Sequence, residues 1–159
     1  MKKAFLLLFI GLCLAAVAVA GVDLSGTWVL DTAKSDPMGG GRMGGGGGGG
    51  AAAGPIEIVV KQTGNELSIT RSFGGNAMET KYTADGAEHT LTTQRGDTKY
   101  KAAIADDGIT VSGTRPGRGG EQPFKEAYSL SADGKVLTVA TTTTGQNGEQ
   151  TRKQVYNKK

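Results

Sequence analysis

The stretch Asp23-Leu-Ser-Gly-Thr-Trp-Val-Leu-Asp-Thr-Ala-Lys-Ser-Asp36 contains Trp28, the single tryptophan of this 159-residue chain. Two residues later the chain runs into Gly39-Gly-Gly-Arg-Met and then seven consecutive glycines. Leu24, Trp28 and Leu30 share parity, so the first half reads as a strand with one apolar face. The second half, Gly39 to Gly54, has ten glycines before Ala51. Such a segment cannot bury enough surface to offset the entropy of ordering it, and is expected to stay disordered. The flexible connection is taken as residues 32–54, mainly 39–54. The many formal G-x-G-x-x-G matches follow from low complexity, and no Gly-Lys-Ser/Thr follows to make a phosphate loop.

Upstream, Lys2 and Lys3 precede an apolar run from Ala4 to Ala20 that ends in Ala18-Val19-Ala20. This pattern predicts a signal peptide, residues 1–20, cleaved before Gly21, and a single exported domain, residues 21–159, in the periplasm or cell exterior. The run is short for a membrane span, so no transmembrane segment is expected after cleavage. Bulky Leu12 before Cys13 argues against a lipid anchor. Loss of Lys2 and Lys3 leaves 16 basic residues against 15 acids, and loss of Cys13 leaves no cysteine. A balance of +1 without a concentrated basic face excludes a nucleic-acid partner as the expected reading. With no disulfide, apolar burial and sheet hydrogen bonds must hold the fold.

Short alternating or β-branched runs fill the rest of the chain: 24–31, 55–62, 66–73, 77–83, 88–94, 97–104, 108–114, 123–130, 135–143 and 149–157. Between them stand TGN, GGN, ADG, RGD, DDG, ADG and GQNG, whose glycines suit tight hairpins. TRPGRGGEQP, 114–123, reads as a long hairpin loop. The expected fold is all-β: an antiparallel meander of eight to ten strands closing into a barrel, which removes exposed sheet edges. Parity places Trp28 with Leu24 and Leu30, Phe73 with Leu67 and Ile69, and Tyr128 with Phe124 and Leu130, all inward. Arg71, Thr80, Glu126, Arg152 and Gln154 fall on the same inward faces. An unpaired buried charge is strongly unfavourable, so either Glu126 pairs with an arginine or water and a polar ligand occupy the interior. Arg71, Tyr82, Tyr100, Glu126, Tyr128 and Gln154 are the candidate ligand-contacting residues.

Gly26-Thr27-Trp28 resembles the glycine-x-tryptophan element of the lipocalin and fatty-acid-binding (calycin) barrels. The ending Val155-Tyr156-Asn157-Lys158 resembles the valine-tyrosine-acid-lysine ending of fatty-acid-binding proteins, and KYTADGAEHT their mid-chain turn. SGTWVLDTAKSD together with YSLSADGKVLTV is similar to a group of small secreted bacterial lipocalin-like proteins. The resemblance implies a barrel whose closed end is plugged by Trp28, with a basic residue of the last strand over the ring. By position that residue is Arg152, and Gly26, Trp28, Arg152 and Tyr156 become the structural set. Two departures stand out. The threonine-aspartate-tyrosine element of lipocalins is missing, and Gln154 falls where fatty-acid-binding proteins place a carboxylate-binding arginine, so a fatty acid is not implied.

Catalytic signals are scarce. His89 is the single histidine and lies in a polar strand, where a surface position is expected; no cluster of metal-ligating residues accompanies it. Asp106-Asp107 and Arg95-Gly96-Asp97 read as turns. Arg115 and Arg118 in the 114–123 loop are a minor candidate for anion binding. The expected function is small-ligand binding in the barrel, with no cofactor and no metal. The alternative is a structural or protein-interaction domain with a self-filled core, and an enzyme ranks third.

Overall fold

In the computed structural model the described residues are 21–37, 56–73, 75–94, 96–117, 120–145 and 148–159. The expected signal peptide and the glycine run 39–54 lie outside them. Ten strands form where the sequence alternates: β1 (Gly26–Leu30), β2 (Glu57–Thr63), β3 (Glu66–Phe73), β4 (Asn76–Thr83), β5 (Asp85–Thr93), β6 (Gly96–Ala105), β7 (Gly108–Gly117), β8 (Gly120–Leu130), β9 (Val136–Gly145) and β10 (Gly148–Lys158). They make one antiparallel sheet in the order β4-β3-β2-β1-β10-β9-β8-β7-β6-β5. The last strand returns to pair with the first, as Trp28 opposite Lys158 shows, and this pairing rolls the meander into a barrel. Among the described residues no helix is long and apolar enough to cross a membrane.

Two expectations about strand pairing are corrected. Residues 114–123 are not a long loop: β7 and β8 continue through Gly117 opposite Gly120, with Arg115 opposite Gln122. Extended pairing gains ladder hydrogen bonds that a loop would forgo, and it carries Arg115 onto a strand. The other correction concerns Ala84-Asp85-Gly86, which does not fold β5 back onto β4. The ladder is interrupted there, β5 pairs only with β6, and its register shifts between Asp85 and Glu88. Edge-to-face packing of Tyr82 on Tyr100, with ring centroids 5.0 Å apart, bridges the interruption. The Thr83 N–H donates to the Tyr100 hydroxyl at 3.1 Å across the same gap.

The glycine connection joins the first two strands as expected, yet its beginning is tied down. The Ser35 hydroxyl accepts from the Val155 N–H at 2.9 Å, and the Lys153 N–H donates to the Asp36 carboxylate at 2.7 Å. Residues 32–37 therefore lie along β10 rather than forming part of a free segment. Val155, on the outward face of β10, is buried at 6% exposure with Ser35 bonded to its backbone.

Trp28 is fully buried, and its indole N–H donates to the Leu24 carbonyl at 3.0 Å. Around it Leu24, Ile58, Val60, Leu67, Ile69, Ile109, Val111 and Leu137 form a layer with at most 2% exposure. The cation over the indole is Lys158, with Nζ 5.3 Å from the ring, not Arg152. Arg152 pairs with Thr141, six residues back along β10, and is exposed. Strand register decides this, because position 158 is the one laddered opposite Trp28. Gly26 holds φ at +152°, a backbone conformation that L side chains rarely adopt, and a Cβ there would stand 3.2 Å from the Lys158 stem.

Removing the plug should be costly. Trp28→Ala is expected to destabilise the fold by about 3–5 kcal/mol in urea denaturation. A double-mutant cycle of Trp28 with Lys158 should show coupling of about 0.5–1 kcal/mol, and the cycle with Arg152 none. Coupling to Arg152 in place of Lys158 would contradict the register.

Candidate functional site

Moving away from Trp28, the lumen changes character within one residue pair on each wall. On β3 the inward series Leu67, Ile69 continues to Arg71; on β8 the inward series Tyr128, Glu126, Phe124 brings a carboxylate between two rings. In the ten-strand order β3 and β8 are five strands apart in either direction, so they form opposite walls. Arg71 spans the space between them. Its Nη2 donates to Glu126 Oε2 at 3.0 Å and to the Tyr128 hydroxyl at 2.6 Å. The Tyr128 hydroxyl in turn donates to the same Glu126 oxygen. Glu126 is the buried charged residue among the described ones, its side chain 10% exposed, whereas that of Arg71 is 32% exposed. The cluster is thus a polar floor above a packed apolar layer, reachable from solvent on the arginine side.

Burial opposes the Arg71 charge, but the Tyr128 and Glu126 partners more than offset it and raise its pKa above the ordinary guanidinium value. Desolvation, followed by the Glu126 charge, pushes Tyr128 well above the usual phenol range and Tyr82 up to about 12. Burial also raises Tyr156. These phenols stay neutral in the folded protein while their unfolded counterparts ionise near pH 10. Their contribution to stability is therefore complete below about pH 10 and is lost as pH rises toward 12.

Of the six sequence-derived candidates, Arg71, Glu126 and Tyr128 come together. Tyr82 lies close enough for its ionisation to respond to Glu126 and Arg71. Tyr100 does not join them: it packs on Tyr82 and stacks with His89 at 5.5 Å, closing the β4–β5 interruption. His89, in turn, is bonded to Asp85 at 2.9 Å. Gln154 accepts from the Tyr156 hydroxyl two residues along its own strand, at 3.3 Å. Gly26, Trp28 and Tyr156 occupy core or closed-end positions; Arg152 shares the face of Gln154 and Tyr156 but is exposed.

One contributor was expected in a loop, and the other was not anticipated. Arg115 lies over the Phe124 ring at 5.2 Å. Its parity with Ile109 and Val111 would have marked it as inward had 114–117 been read as strand. Met78 is laddered opposite Arg71 and is 64% exposed, a large apolar side chain on the arginine's own face. Among the described residues neither Arg115 nor Arg152 has an acidic partner. A separate hollow of about 210 Å³ crosses β5, β6 and β7 at Gly113, between Glu88, Lys99 and Thr114, and touches none of the Arg71 cluster. It cannot be filled from Gly113, where a Cβ would sit 1.9 Å from the Lys99 carbonyl oxygen.

An ordered strand meander, a buried tryptophan at one end and a gap between the fourth and fifth strands can be compared with solved structures. The REP1-NXSQ fatty acid transporter matches with a TM-score of 0.60 at 15% identity, over 86% of this chain and 96% of its own. Human cRBP IV matches with 0.60 at 18%, over 87% and 99%. Zebrafish ileal bile acid-binding protein complexed with cholic acid matches with 0.57 at 16%, over 86% and 98%. The fold is a calycin-type β-barrel. At the level of sequence no protein-family model and no curated protein matches.

The phenol shifts are open to a direct check. In an absorbance titration, Tyr82, Tyr128 and Tyr156 should not ionise near pH 10 with the folded protein, but only together with loss of the β-sheet signal at higher pH. Reversible ionisation of all four tyrosines near pH 10 in a folded sample would contradict the buried environment described here.

Proposed function

We propose that this chain is an exported barrel that binds a small molecule in the upper lumen, above the packed layer around Trp28. The observation that carries the reading is the Arg71–Glu126–Tyr128 cluster. A barrel that serves only as a scaffold gains little from a charge pair in its interior, because the desolvation cost largely cancels the attraction and apolar side chains would serve as well. A polar group fixed in a partly accessible concave space is what a ligand site needs for orientation. Calycin-type neighbours described as fatty-acid transporter and bile-acid-binding protein support small-ligand binding in general terms. The partly exposed Arg71, with Met78 beside it, offers the side from which a ligand would approach. No arrangement for covalent or metal chemistry is needed for this role. Export rests on the charged and apolar pattern of residues 1–20 and implies that the working protein starts at Gly21.

A second reading has its own support. The eight apolar side chains around Trp28 are at most 2% exposed, which suits a self-filled domain that acts through its outer surface. The two readings differ in whether the upper lumen takes up a molecule. Native mass spectrometry of the exported protein should find an N-terminus at Gly21 and an adduct that dissociates under activation. The adduct should be lost in Arg71→Met. A clean apo mass, together with no uptake of the fluorescent probe anilinonaphthalene sulfonate, would favour the interaction protein.

A further inference from the structure

We propose that Glu126 is a built-in occupant of a carboxylate site made by Arg71 and Tyr128, so that the head-group position of the lumen takes an uncharged hydrogen-bonding group and disfavours carboxylates. The inference deepens the ligand-binding reading above and rests on it. Its basis is the convergence of a guanidinium and a phenol on one oxygen, Glu126 Oε2, from opposite walls of the barrel. Charge-assisted donors aimed at a single carboxylate oxygen are the means by which proteins hold acids. Here the acid belongs to the chain itself.

A ligand carboxylate that reached the same donors would place a second negative charge beside Glu126, facing one guanidinium. Like charges at such separations strongly disfavour joint ionisation. Moving Glu126 aside does not relieve this, since its side chain is only 10% exposed and has little room to regain water. An alcohol or amide meets no such obstacle. Its N–H or O–H can donate to a free lone pair of Glu126, and its oxygen can accept from the Arg71 N–H groups that Nη2 leaves unused, because arginine carries five donors. Arg71 is 32% exposed, so those donors can be reached. The apolar part of the ligand would then run outward past Met78, which shares the face of Arg71 and is 64% exposed. Among the described residues, neither Arg115, which lies over the Phe124 ring, nor Arg152 is bonded to Glu126 or Tyr128.

The test compares decan-1-ol with decanoate, which differ in the head group, on the purified protein and its Glu126→Gln variant by calorimetry at neutral pH. The wild type should prefer the alcohol. Glu126→Gln keeps the shape of the side chain but withdraws its charge, so decanoate affinity should rise about tenfold or more, while that for decanol should change less than about threefold. Decanoate should also raise the melting temperature of Glu126→Gln more than that of the wild type, a readout that remains usable if the variant is destabilised. In the double variant Arg71→Met/Glu126→Gln the gain should vanish. A folded Glu126→Gln whose decanoate affinity is unchanged, or a gain that survives loss of Arg71, overturns the inference and leaves ligand binding standing. If neither probe binds wild type or variant, both readings fall together.

Discussion

The indole of Trp28 is the element on which the barrel depends. It is the largest fully buried side chain, and three strands meet on it: β1 carries it, β2 supplies Ile58 opposite it, and β10 lays Lys158 over it. Its N–H would be an unsatisfied donor in that position, and the Leu24 carbonyl removes the penalty at 3.0 Å. Leu24 is itself held by the Gln62 side chain, which accepts from its N–H and donates to the Val22 carbonyl. The segment before β1 is thereby drawn across the end of the barrel. A small domain with no disulfide relies on such a compact apolar centre, since burial of large side chains is the main term opposing chain entropy.

Above that layer the interior is organised by a different force. Leu67 and Ile69 need only shape and volume, but Arg71 needs charge and hydrogen-bond partners, and the opposite wall provides both in Glu126 and Tyr128. Because the partners are on strands five steps apart, the pair couples the two halves of the sheet in a way no ladder hydrogen bond does. Such a pair contributes little net stability against an apolar replacement, yet breaking it is costly. The interior is therefore apolar around Trp28 and polar at the Arg71 cluster, and the functional reading rests on that division.

The interruption between β4 and β5 shows how the sheet accommodates curvature. Ala84 leads directly from one strand to the next, and its N–H donates to the Asn65 carbonyl rather than joining a hairpin ladder. Aromatic packing of Tyr82 on Tyr100, backed by His89, takes the place of the missing backbone pairing. Side chains can span a separation that backbone hydrogen bonds cannot, so the barrel closes in packing although not in its ladder.

Strand number, most of the hairpin sites, the antiparallel meander and the alternation of faces were readable in the sequence, because a period of two and the placement of turn glycines are local properties. Leu24, Trp28, Ile69, Phe124 and Tyr128 announced their burial in this way. So did the presence of polar groups inside, and the alternative that Glu126 pairs with an arginine. Which arginine it would be was not local information: Arg71 and Arg152 have equal claims by parity, and only the order of strands around the barrel sets Arg71 against Glu126. The same holds for Trp28, whose cation is Lys158 because register, not resemblance, selects the residue opposite. Arg115 was hidden by glycines on both sides that look like a loop when read alone and become strand when β7 and β8 hold each other extended. The sequence by itself determined that alternating segments would pair and bury one face; long-range pairing decided which charges meet, since residues 55 positions apart are brought within 3.0 Å only when the sheet has rolled up.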